Sequence, residues 1–382
     1  MSLKSSRRGA VPPFIAMDVL RLANERAALG EAILHLELGQ PSTPAPEGVR
    51  AAARRALAEN ALGYTETPGL PALRRAIAAE HERRYGAALD PARVIITTGA
   101  SGGLMLAFLA GFDVGDRIAL ASPAYPAYRN MLTALGLVPV EIPVGPAEGH
   151  RLTVAGLRRC GGRIDGLIIA SPANPTGTML APAELAAIGG YCADAGIRLI
   201  SDEIYHGITY GAAAATALAA NDQAVIVNSF SKYFSMTGWR IGWLVVPEDM
   251  LGAVERLAQS LFIAPPSLAQ HAALAAFDGR DELEANIARY AANRALLLEE
   301  LPKAGIERFA PADGAFYLYA DVSGLTNDSR DLCQRLLREI GVACTPGVDF
   351  DPAHGNTAIR LCFAGSTAAV AEAAQRLQRW RR

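Results

Sequence analysis

Short apolar runs alternate with amphipathic segments between about residue 90 and residue 260. Apolar runs of about four to eight residues bounded by turn residues are typical of buried strands, and longer amphipathic segments are typical of helices. The predicted strands are VIITTG (94–99), RIALASP (117–123), VPVEIPV (138–144), GLIIASP (166–172), IRLISDEIY (197–205), AVIVNSF (224–230) and IGWLVVP (241–247). Helices are predicted between them at 101–112, 124–136 and 182–196.

This alternation favours the α/β class, as a three-layer αβα sandwich with a mainly parallel sheet and helices on both faces. In such a sheet, ligands bind beyond the carboxyl ends of the strands. The polar residues at or just after these predicted ends are Ser101, Tyr125, Asn174, Asp202, Tyr205, Ser229 and Lys232. We therefore expect their side chains to converge on one crevice.

The pattern changes after about residue 260. A long helical stretch (267–301) precedes a second unit, in which GAFYLYADV (314–322) and AIRLCFA (358–364) predict strands. Segments 331–341 and 368–382 predict helices in the same unit. We therefore predict a large domain at 45–264 and a smaller α+β domain made of 1–44 and 265–382.

The composition narrows the class of protein. The chain has 382 residues, 51% of them hydrophobic, and a formal net charge of −2, which gives no indication of nucleic-acid or membrane-surface binding. No apolar run approaches the ~20 residues of a membrane span, and the first residues hold no signal-peptide core. Five scattered cysteines without a CxxC pair favour a reduced, cytoplasmic protein. The six histidines form no HxH or HExxH motif, so no metal is expected.

The stretch SFSKYFSMTGWRIGW (229–243) places one lysine among hydroxyl groups, with Arg240 following. A partly desolvated lysine amine is nucleophilic near neutral pH and can form a Schiff base. Serine and arginine side chains and a helix N-terminus can hold a phosphate group. An acid such as Asp202 can pair with a protonated ring nitrogen. These properties match pyridoxal phosphate, an electron sink held by a lysine.

Each of these residues also has a plainer interpretation when it is taken alone. A single lysine is usually a solvated surface residue. Arg240 could form a structural ion pair, Ser101 could be a helix N-cap, and Arg360 could face outward from an edge strand. Asn-Pro is a common turn dipeptide, and any one tyrosine could be a core aromatic. The order and spacing of the whole set favour a functional site.

The same stretch resembles the lysine signature S-x-S-K-x-x-x-x-x-G-x-R-x-G of the fold-type I, class I/II pyridoxal-phosphate-dependent aminotransferases. The resemblance covers about residues 31–378 and is to the aspartate, aromatic and kynurenine aminotransferase relatives. It implies that Lys232 binds the cofactor covalently and then moves the substrate α-proton. It also implies that Ser229, Ser231 and Arg240 bind the phosphate.

Further motifs match those of the family around the cofactor. SDEIY resembles the D-E-x-Y strand end, which implies that Asp202 pairs with the ring nitrogen N1 and Tyr205 with the oxygen O3′. TTGASGG resembles the turn whose amides reach the phosphate, here those of Ala100 and Ser101. SPAYPAY places Tyr125 where the family stacks an aromatic ring on the pyridine.

Other matches concern the substrate and the partner subunit. SPANPTG resembles the N-P-T-G loop, which implies that Asn174 contacts both O3′ and the substrate carboxylate. LGQP places Gly39, and AIRLCFA places Arg360, where the family binds that carboxylate. GYTETPG places Tyr64 where a tyrosine reaches the phosphate of the neighbouring subunit, which implies a homodimer.

The activity implied by the resemblance is transamination between an L-amino acid and a 2-oxo acid by a ping-pong aldimine/ketimine mechanism, in amino acid metabolism. Some relatives hold a distal carboxylate with a lysine at the position of Ser101, which weakens an aspartate assignment. The segment 11–15 and Phe262 are expected to form an apolar pocket wall, so an aromatic or aliphatic donor is favoured. The expected acceptor is 2-oxoglutarate.

Two rival functions remain at the level of sequence. A C–S β-lyase would use the same lysine and aspartate with a different fate for the carbanion. A non-catalytic, aminotransferase-like effector domain of a transcription regulator needs a winged-helix segment ahead of it, and the roughly 30 residues before the region of resemblance show no helix-turn-helix pattern.

Overall fold

The computed structural model describes residues 3–59 and 62–381. The helices are α1 (Ile15–Ala28), α2 (Glu47–Glu59), α3 (Pro71–Tyr85), α4 (Gly99–Gly111), α5 (Pro126–Leu135), α6 (Val154–Arg159), α7 (Pro182–Ala195), α8 (Glu248–Phe262), α9 (Ser267–Leu274), α10 (Arg280–Glu300), α11 (Ser329–Ile340) and α12 (Thr367–Arg381). The strands are β1 (Leu34–His35), β2 (Val94–Thr97), β3 (Arg117–Ser122), β4 (Val138–Pro143), β5 (Gly166–Ala170), β6 (Arg198–Asp202), β7 (Val225–Ser229), β8 (Gly242–Val245), β9 (Arg308–Phe309), β10 (Tyr317–Asp321), β11 (Val342–Ala343), β12 (Thr345–Pro346) and β13 (Ala358–Cys362).

A seven-stranded sheet carries the predicted strands of the central region, in the order β2-β8-β7-β6-β5-β3-β4. Strand β8 runs antiparallel to both of its neighbours, and the other pairs are parallel. The carboxyl ends of β2, β3, β5, β6 and β7 therefore lie along one edge of the sheet. This edge is where the sequence predicted the functional residues, and the prediction of a mainly parallel sheet is confirmed.

Both faces of this sheet are buried by helices, because alternate residues of each strand point to opposite sides. Ile95 and Ile168 belong to an apolar cluster formed with α4, α5 and α8. Their neighbours Ile96 and Ile169 belong to a second cluster, which includes residues of α3 and α7. The α/β three-layer sandwich predicted from the sequence is therefore confirmed.

Local sequence explains where several helices begin and end. Pro126 occupies the first turn of α5, where its missing amide N–H costs no hydrogen bond. The helix ends at Gly136, whose φ of +83° is the left-handed conformation that glycine adopts without a Cβ clash. Glu184 of α7 accepts a hydrogen bond at 2.7 Å from the amide of Ala181, which caps that helix.

The predicted continuous helix at 267–301 is wrong in one respect. The chain forms α9, then a 3-10 turn (Ala275–Asp278), and begins α10 at Arg280. Gly279 separates them, and glycine has a low helix propensity. Asp281 and Glu282 then lie in the first turn of α10, where the helix dipole favours acidic side chains.

The remaining strands form two smaller sheets. Four strands lie in the order β12-β13-β10-β9 and are antiparallel, while β1 pairs with β11 in parallel. Strand β13 carries Arg360, which faces the edge of the large sheet through contacts described below. The division of the chain at residues 44 and 264 stays a prediction. In the described part of the chain, no helix is both long enough and apolar enough to cross a membrane.

Candidate active site

A cavity of about 350 Å³ lies at the carboxyl edge of the seven-stranded sheet. The sequence-predicted site residues that line it are Gly39, Ala100, Ser101, Tyr125, Asn174, Asp202, Tyr205, Ser231, Lys232, Arg240 and Arg360. Two predicted residues, Ser229 and Tyr64, are not among those that line it. The structure therefore brings most of the predicted set together from loops, strands and the start of one helix that are widely separated in the sequence.

Lys232 follows strand β7 and is half-buried in the cavity wall. Its Nζ donates a hydrogen bond to the backbone oxygen of Gly39 at 2.6 Å. Burial lowers the pKa of the Lys232 amine from its ordinary 10.5 to about 8, and the guanidinium groups of Arg360 and Arg240 act in the same direction. A substantial fraction of this amine is therefore neutral, and so nucleophilic, near physiological pH.

The N-terminus of α4 forms an anion-binding corner of the cavity. Its N-cap residue, Thr98, makes no side-chain cap, so the first amide N–H groups of the helix keep their donor capacity. Ala100 and Ser101 of this first turn line the cavity together with Arg240. Gly99 allows the guanidinium of Arg240 to lie close to the start of α4. Its φ is +71°, and a Cβ at this position would lie 2.4 Å from Nη2 of Arg240.

Ser229 lies behind Ser231 and away from the cavity surface. Its hydroxyl lies 2.8 Å from that of Ser231 and 3.0 Å from the backbone oxygen of Ile241. The amide of Ser231 donates to the Ser229 hydroxyl at 3.0 Å. In this structure Ser229 therefore orients Ser231, whose own side chain lines the cavity.

Asp202 ends strand β6 and is buried, with 3% of its surface exposed. Its Oδ2 accepts a hydrogen bond from the Tyr128 hydroxyl at 2.6 Å, and its Oδ1 accepts one from the Ile204 amide at 3.1 Å. Burial raises the pKa of Asp202, while these two hydrogen bonds and the charge of Lys232 oppose that rise. A buried acid in this setting is suited to a cationic partner.

Two tyrosines that sequence reasoning missed support the predicted residues. Tyr128 lies three positions after Tyr125, and this helical spacing was the available signal. Tyr317, on β10, shares a hydrogen bond of 2.7 Å with the hydroxyl of Tyr205. A Cβ on Gly39 would lie 1.9 Å from the Tyr317 hydroxyl oxygen, so glycine is needed for this packing.

Arg360, on strand β13, is buried in the wall of the cavity. Its Nη1 donates to Oδ1 of Asn174 at 2.9 Å, and its Nη2 donates to the backbone oxygen of Glu37. The guanidinium lies over the rings of Tyr317 and Phe350, with distances of 4.5 and 4.7 Å from Cζ to the centroids. Its buried Nε has no partner among the described residues. This cation is held rigidly and keeps donor capacity for an anion.

The expected apolar wall is only partly present. Phe14 lines the cavity and packs against Tyr125, with 5.9 Å between ring centroids. Met17 and Ala16, at the start of α1, extend the same wall. Phe262 does not line the cavity and packs beside the apolar cluster of α4, α5 and α8.

These donors fit pyridoxal phosphate. The cavity offers a lysine amine of lowered pKa, an uncapped helix N-terminus beside an arginine, a buried acid, and the ring of Tyr125 on one wall. The chemistry of this set matches the aldehyde, phosphate, ring nitrogen and aromatic face of the cofactor. A separate buried arginine remains for a substrate carboxylate.

Comparison with known proteins gives the family. The model of the family "Aminotransferase class I and II" matches residues 31–377. A valine–pyruvate aminotransferase of Mycobacterium tuberculosis is 50% identical over 384 residues, which is 100% of this chain and 99% of that protein. An aspartate/prephenate aminotransferase of Thermus thermophilus is 34% identical, with 98% of each chain covered.

Solved structures agree with the sequence relatives. An aminotransferase from Mycobacterium tuberculosis superposes with a TM-score of 0.97 at 50% identity, with 99% of each chain covered. The aspartate aminotransferase of Thermus thermophilus superposes with a TM-score of 0.94 at 33% identity, with 99% of this chain and 100% of that chain covered. Nothing in these relatives supports the β-lyase or the effector-domain alternative. The chain therefore belongs to the class I and II aminotransferases and is a fold-type I enzyme that catalyses pyridoxal-phosphate-dependent transamination.

Proposed function

We propose that the two ends of the cavity bind the two anionic groups of the bound reactants. The amides of Ala100 and Ser101, with Ser231 and Arg240, bind the cofactor phosphate. Ser229 acts at this end through its contact with Ser231. The support for this assignment is the uncapped N-terminus of α4, which favours an anion, and the position of Arg240 against Gly99.

The substrate α-carboxylate binds at the other end, to Arg360, Asn174 and the amide of Gly39. Arg360 and Asn174 already contact each other at 2.9 Å, so one carboxylate can accept from both. The Tyr317 and Phe350 rings hold the guanidinium in place, which fixes the orientation of the bound amino acid. This orientation selects which bond at the α-carbon breaks.

Pyridoxal phosphate, when bound, supplies an electron sink that stabilises the carbanion left after the α-proton departs. Lys232 binds the cofactor covalently and then carries the proton between the substrate α-carbon and the cofactor carbon C4′. Asp202 keeps the ring nitrogen N1 protonated, and Tyr205 and Asn174 donate to O3′. Tyr125 stacks on the ring. The lowered pKa of Lys232 supports its role as a base near neutral pH.

The donor that the cavity favours is an aliphatic amino acid with a single carboxylate. The observation that carries this proposal is the distribution of cations: among the described residues that line the cavity, the Lys and Arg side chains are Lys232, Arg240 and Arg360. Each already has a role, and Ser101 supplies no charge for a second carboxylate. Phe14 and Met17 give the wall an apolar surface.

The acceptor we propose is pyruvate, in place of the 2-oxoglutarate expected from the sequence. The relative that is 50% identical over its whole length is named a valine–pyruvate aminotransferase. Pyruvate has one carboxylate and a methyl group, so it makes the same demands on this cavity as an aliphatic donor. With these reactants the amino product is alanine and the other product is a branched-chain 2-oxo acid. In the reverse direction, with alanine as donor, the same reaction makes the branched-chain amino acid, which is the biosynthetic role we propose in amino acid metabolism.

We also propose a cytoplasmic homodimer in which Tyr64 reaches the phosphate of the neighbouring subunit. Tyr64 is 83% exposed and does not line the cavity of its own chain, so its side chain is accessible to a neighbouring subunit. A hybrid test is available. A heterodimer of one Lys232→Ala protomer and one Tyr64→Ala protomer should contain one site with both substitutions and one site with neither. The unsubstituted site should bind the cofactor more tightly than the sites of the Tyr64→Ala homodimer. No recovery would contradict the role of Tyr64.

A half-reaction screen tests the donor assignment. Purified holoenzyme is mixed with valine, leucine, asparagine, aspartate or phenylalanine, and the decay of the visible cofactor band is followed. Leucine, asparagine and aspartate are similar in size, so they separate the effect of charge from that of shape. Valine and leucine should react at least about ten-fold faster than aspartate, because a buried unpaired carboxylate costs more than 1.4 kcal/mol. Equal or faster reaction of aspartate or phenylalanine would contradict the proposal.

A further inference from the structure

Helix α1 begins without a cap of its own. Phe14 occupies the N-cap position and has no polar side chain to accept from the first amides. The cap comes from a distant part of the sequence: Oδ1 of Asp349 accepts from the amide of Ile15 at 3.0 Å, and Oδ2 accepts from the amide of Ala16 at 3.2 Å. Asp349 therefore satisfies two of the free amides at the start of α1.

Asp349 is itself fixed at the substrate end of the cavity. It is 4% exposed and ends the 3-10 turn Gly347–Asp349. The next residue, Phe350, lies against the guanidinium of Arg360. The backbone oxygen of Asp349 accepts from Nη2 of Arg129 at 3.3 Å, and Nη1 of Arg129 pairs with Glu141 at 3.2 Å. The start of α1 is thus tied to the element that supports the proposed carboxylate-binding arginine.

The hydrogen bonds from the start of α1 to Asp349 fix the position of part of the cavity wall. Phe14, Ala16 and Met17 line the cavity, and all three lie within three residues of the amides that Asp349 caps. Asp349 does not line the cavity itself, so its carboxylate does not face the substrate. Without the cap, the first turn of α1 loses two hydrogen bonds, and the wall loses its fixed distance from Arg360.

We propose that Asp349 is a positioning residue for substrate specificity: it caps α1 from across the fold, and it thereby holds Phe14 and Met17 where they contact the side chain of an aliphatic amino donor. The inference rests on the proposed function. A merely structural cap would affect all substrates alike. A positioning role affects substrates with long side chains more than alanine, whose methyl group is too short to need the wall.

The test compares Asp349→Ala and Asp349→Asn with the wild-type holoenzyme, using valine and alanine as donors. In Asp349→Ala, kcat/KM for valine should fall about ten-fold, mainly through KM, while the value for alanine changes less than about three-fold. Asp349→Asn keeps one acceptor oxygen, so its kcat/KM for valine should lie between those of the wild-type enzyme and Asp349→Ala. Asp328→Ala is the control, because Asp328 also caps a helix, α11, by accepting two hydrogen bonds, here from the amides of Arg330 and Asp331 to its Oδ1. The Asp328→Ala variant should leave the ratio of kcat/KM for valine to kcat/KM for alanine unchanged.

A double-mutant cycle separates action through the wall from other effects. If Asp349 acts through Phe14, adding Asp349→Ala to Phe14→Ala should lower kcat/KM for valine less than about two-fold further. The inference would be overturned if kcat/KM fell equally for valine and alanine, so that their ratio was unchanged in both Asp349 variants. It would also be overturned if the effects of Asp349→Ala and Phe14→Ala on kcat/KM for valine were fully additive. A wild-type enzyme that prefers aspartate to valine would overturn the proposed function as well, so the two failures are distinguishable.

Discussion

The hydroxyl of Tyr128 donates a hydrogen bond to Oδ2 of Asp202 at 2.6 Å, inside the wall of the candidate active site. Both side chains are buried, so the bond is not weakened by competition with water. It fixes the carboxylate in orientation and opposes the rise in pKa that burial imposes. Tyr128 therefore helps to keep Asp202 charged, which is the state that the proposed pairing with the ring nitrogen requires.

Tyr128→Phe removes this donor and little volume. We expect kcat to fall about ten-fold, since a hydrogen bond to a charged group contributes roughly 1.5 kcal/mol or more. The pKa of Asp202 should rise, so the acidic limb of the pH–rate profile should move to higher pH. Tyr210→Phe is the control, because the Tyr210 hydroxyl donates to the Ala315 oxygen away from the cavity. An unshifted acidic limb in Tyr128→Phe would contradict this role.

The pKa of Lys232 predicts how the apoenzyme recovers its cofactor. Only the neutral amine attacks an aldehyde, and burial lowers this pKa from 10.5 to about 8. The rate of reconstitution with pyridoxal phosphate should therefore rise as pH increases through about 8 and level off above it. Stopped-flow absorbance measures this rate. A rate that keeps rising to about pH 10, as for an exposed lysine, would show that the amine is not desolvated.

Gly99→Ala tests the anion-binding corner. A Cβ at this position would lie 2.4 Å from Nη2 of Arg240, so the guanidinium must move away from the start of α4. We expect the Kd for pyridoxal phosphate to rise at least about ten-fold, because a charge-assisted contact is lost. Gly86→Ala is the matched control: its φ of +69° imposes similar backbone strain, but a Cβ there would meet nothing within 4 Å. Equal effects of both variants would mean that strain, and not Arg240, is responsible.

Arg360→Lys tests the substrate end. Lysine keeps the charge but loses the planar group that lies over the Tyr317 and Phe350 rings and donates to Asn174. We expect KM for the amino donor to rise at least about ten-fold, with cofactor affinity unchanged. Arg294→Lys serves as the control, since Arg294 also stacks on a tyrosine, Tyr210, outside the cavity. A normal KM in Arg360→Lys would remove Arg360 from the carboxylate site.

The strands of the large sheet could be predicted because they are buried on both faces and read as continuous apolar runs, such as VIIT of β2. The helices α1, α2, α3 and α8 were not predicted. In α3 the charged residues dominate and the apolar face is narrow, with Leu73, Ile77 and Ala78 as its buried residues. The break between α9 and α10 depends on a single glycine within an otherwise helical pattern.

Within the site, the sequence identified residues that lie in motifs and missed those that act through contacts distant in the chain. Tyr317 reaches Tyr205 across 112 residues, and Asp349 caps Ile15 across 334. Such pairs depend on how β10 and the segment after β12 pack on the large sheet, and no local pattern encodes this. The position of Ser229 behind Ser231 likewise follows from the backbone path after β7 and not from the residue type.

Lys232 is the residue that we propose holds the cofactor, and the small number of lysines in the chain makes this proposal direct to test. It contains three lysines, at positions 4, 232 and 303, and both Lys4 and Lys303 are exposed. Holoenzyme is reduced with borohydride and digested, and the pyridoxyl-bearing peptide is located by mass spectrometry. We expect stoichiometric label on Lys232 and none on the other two lysines. Label on Lys4 or Lys303, or no covalent label at all, would contradict it.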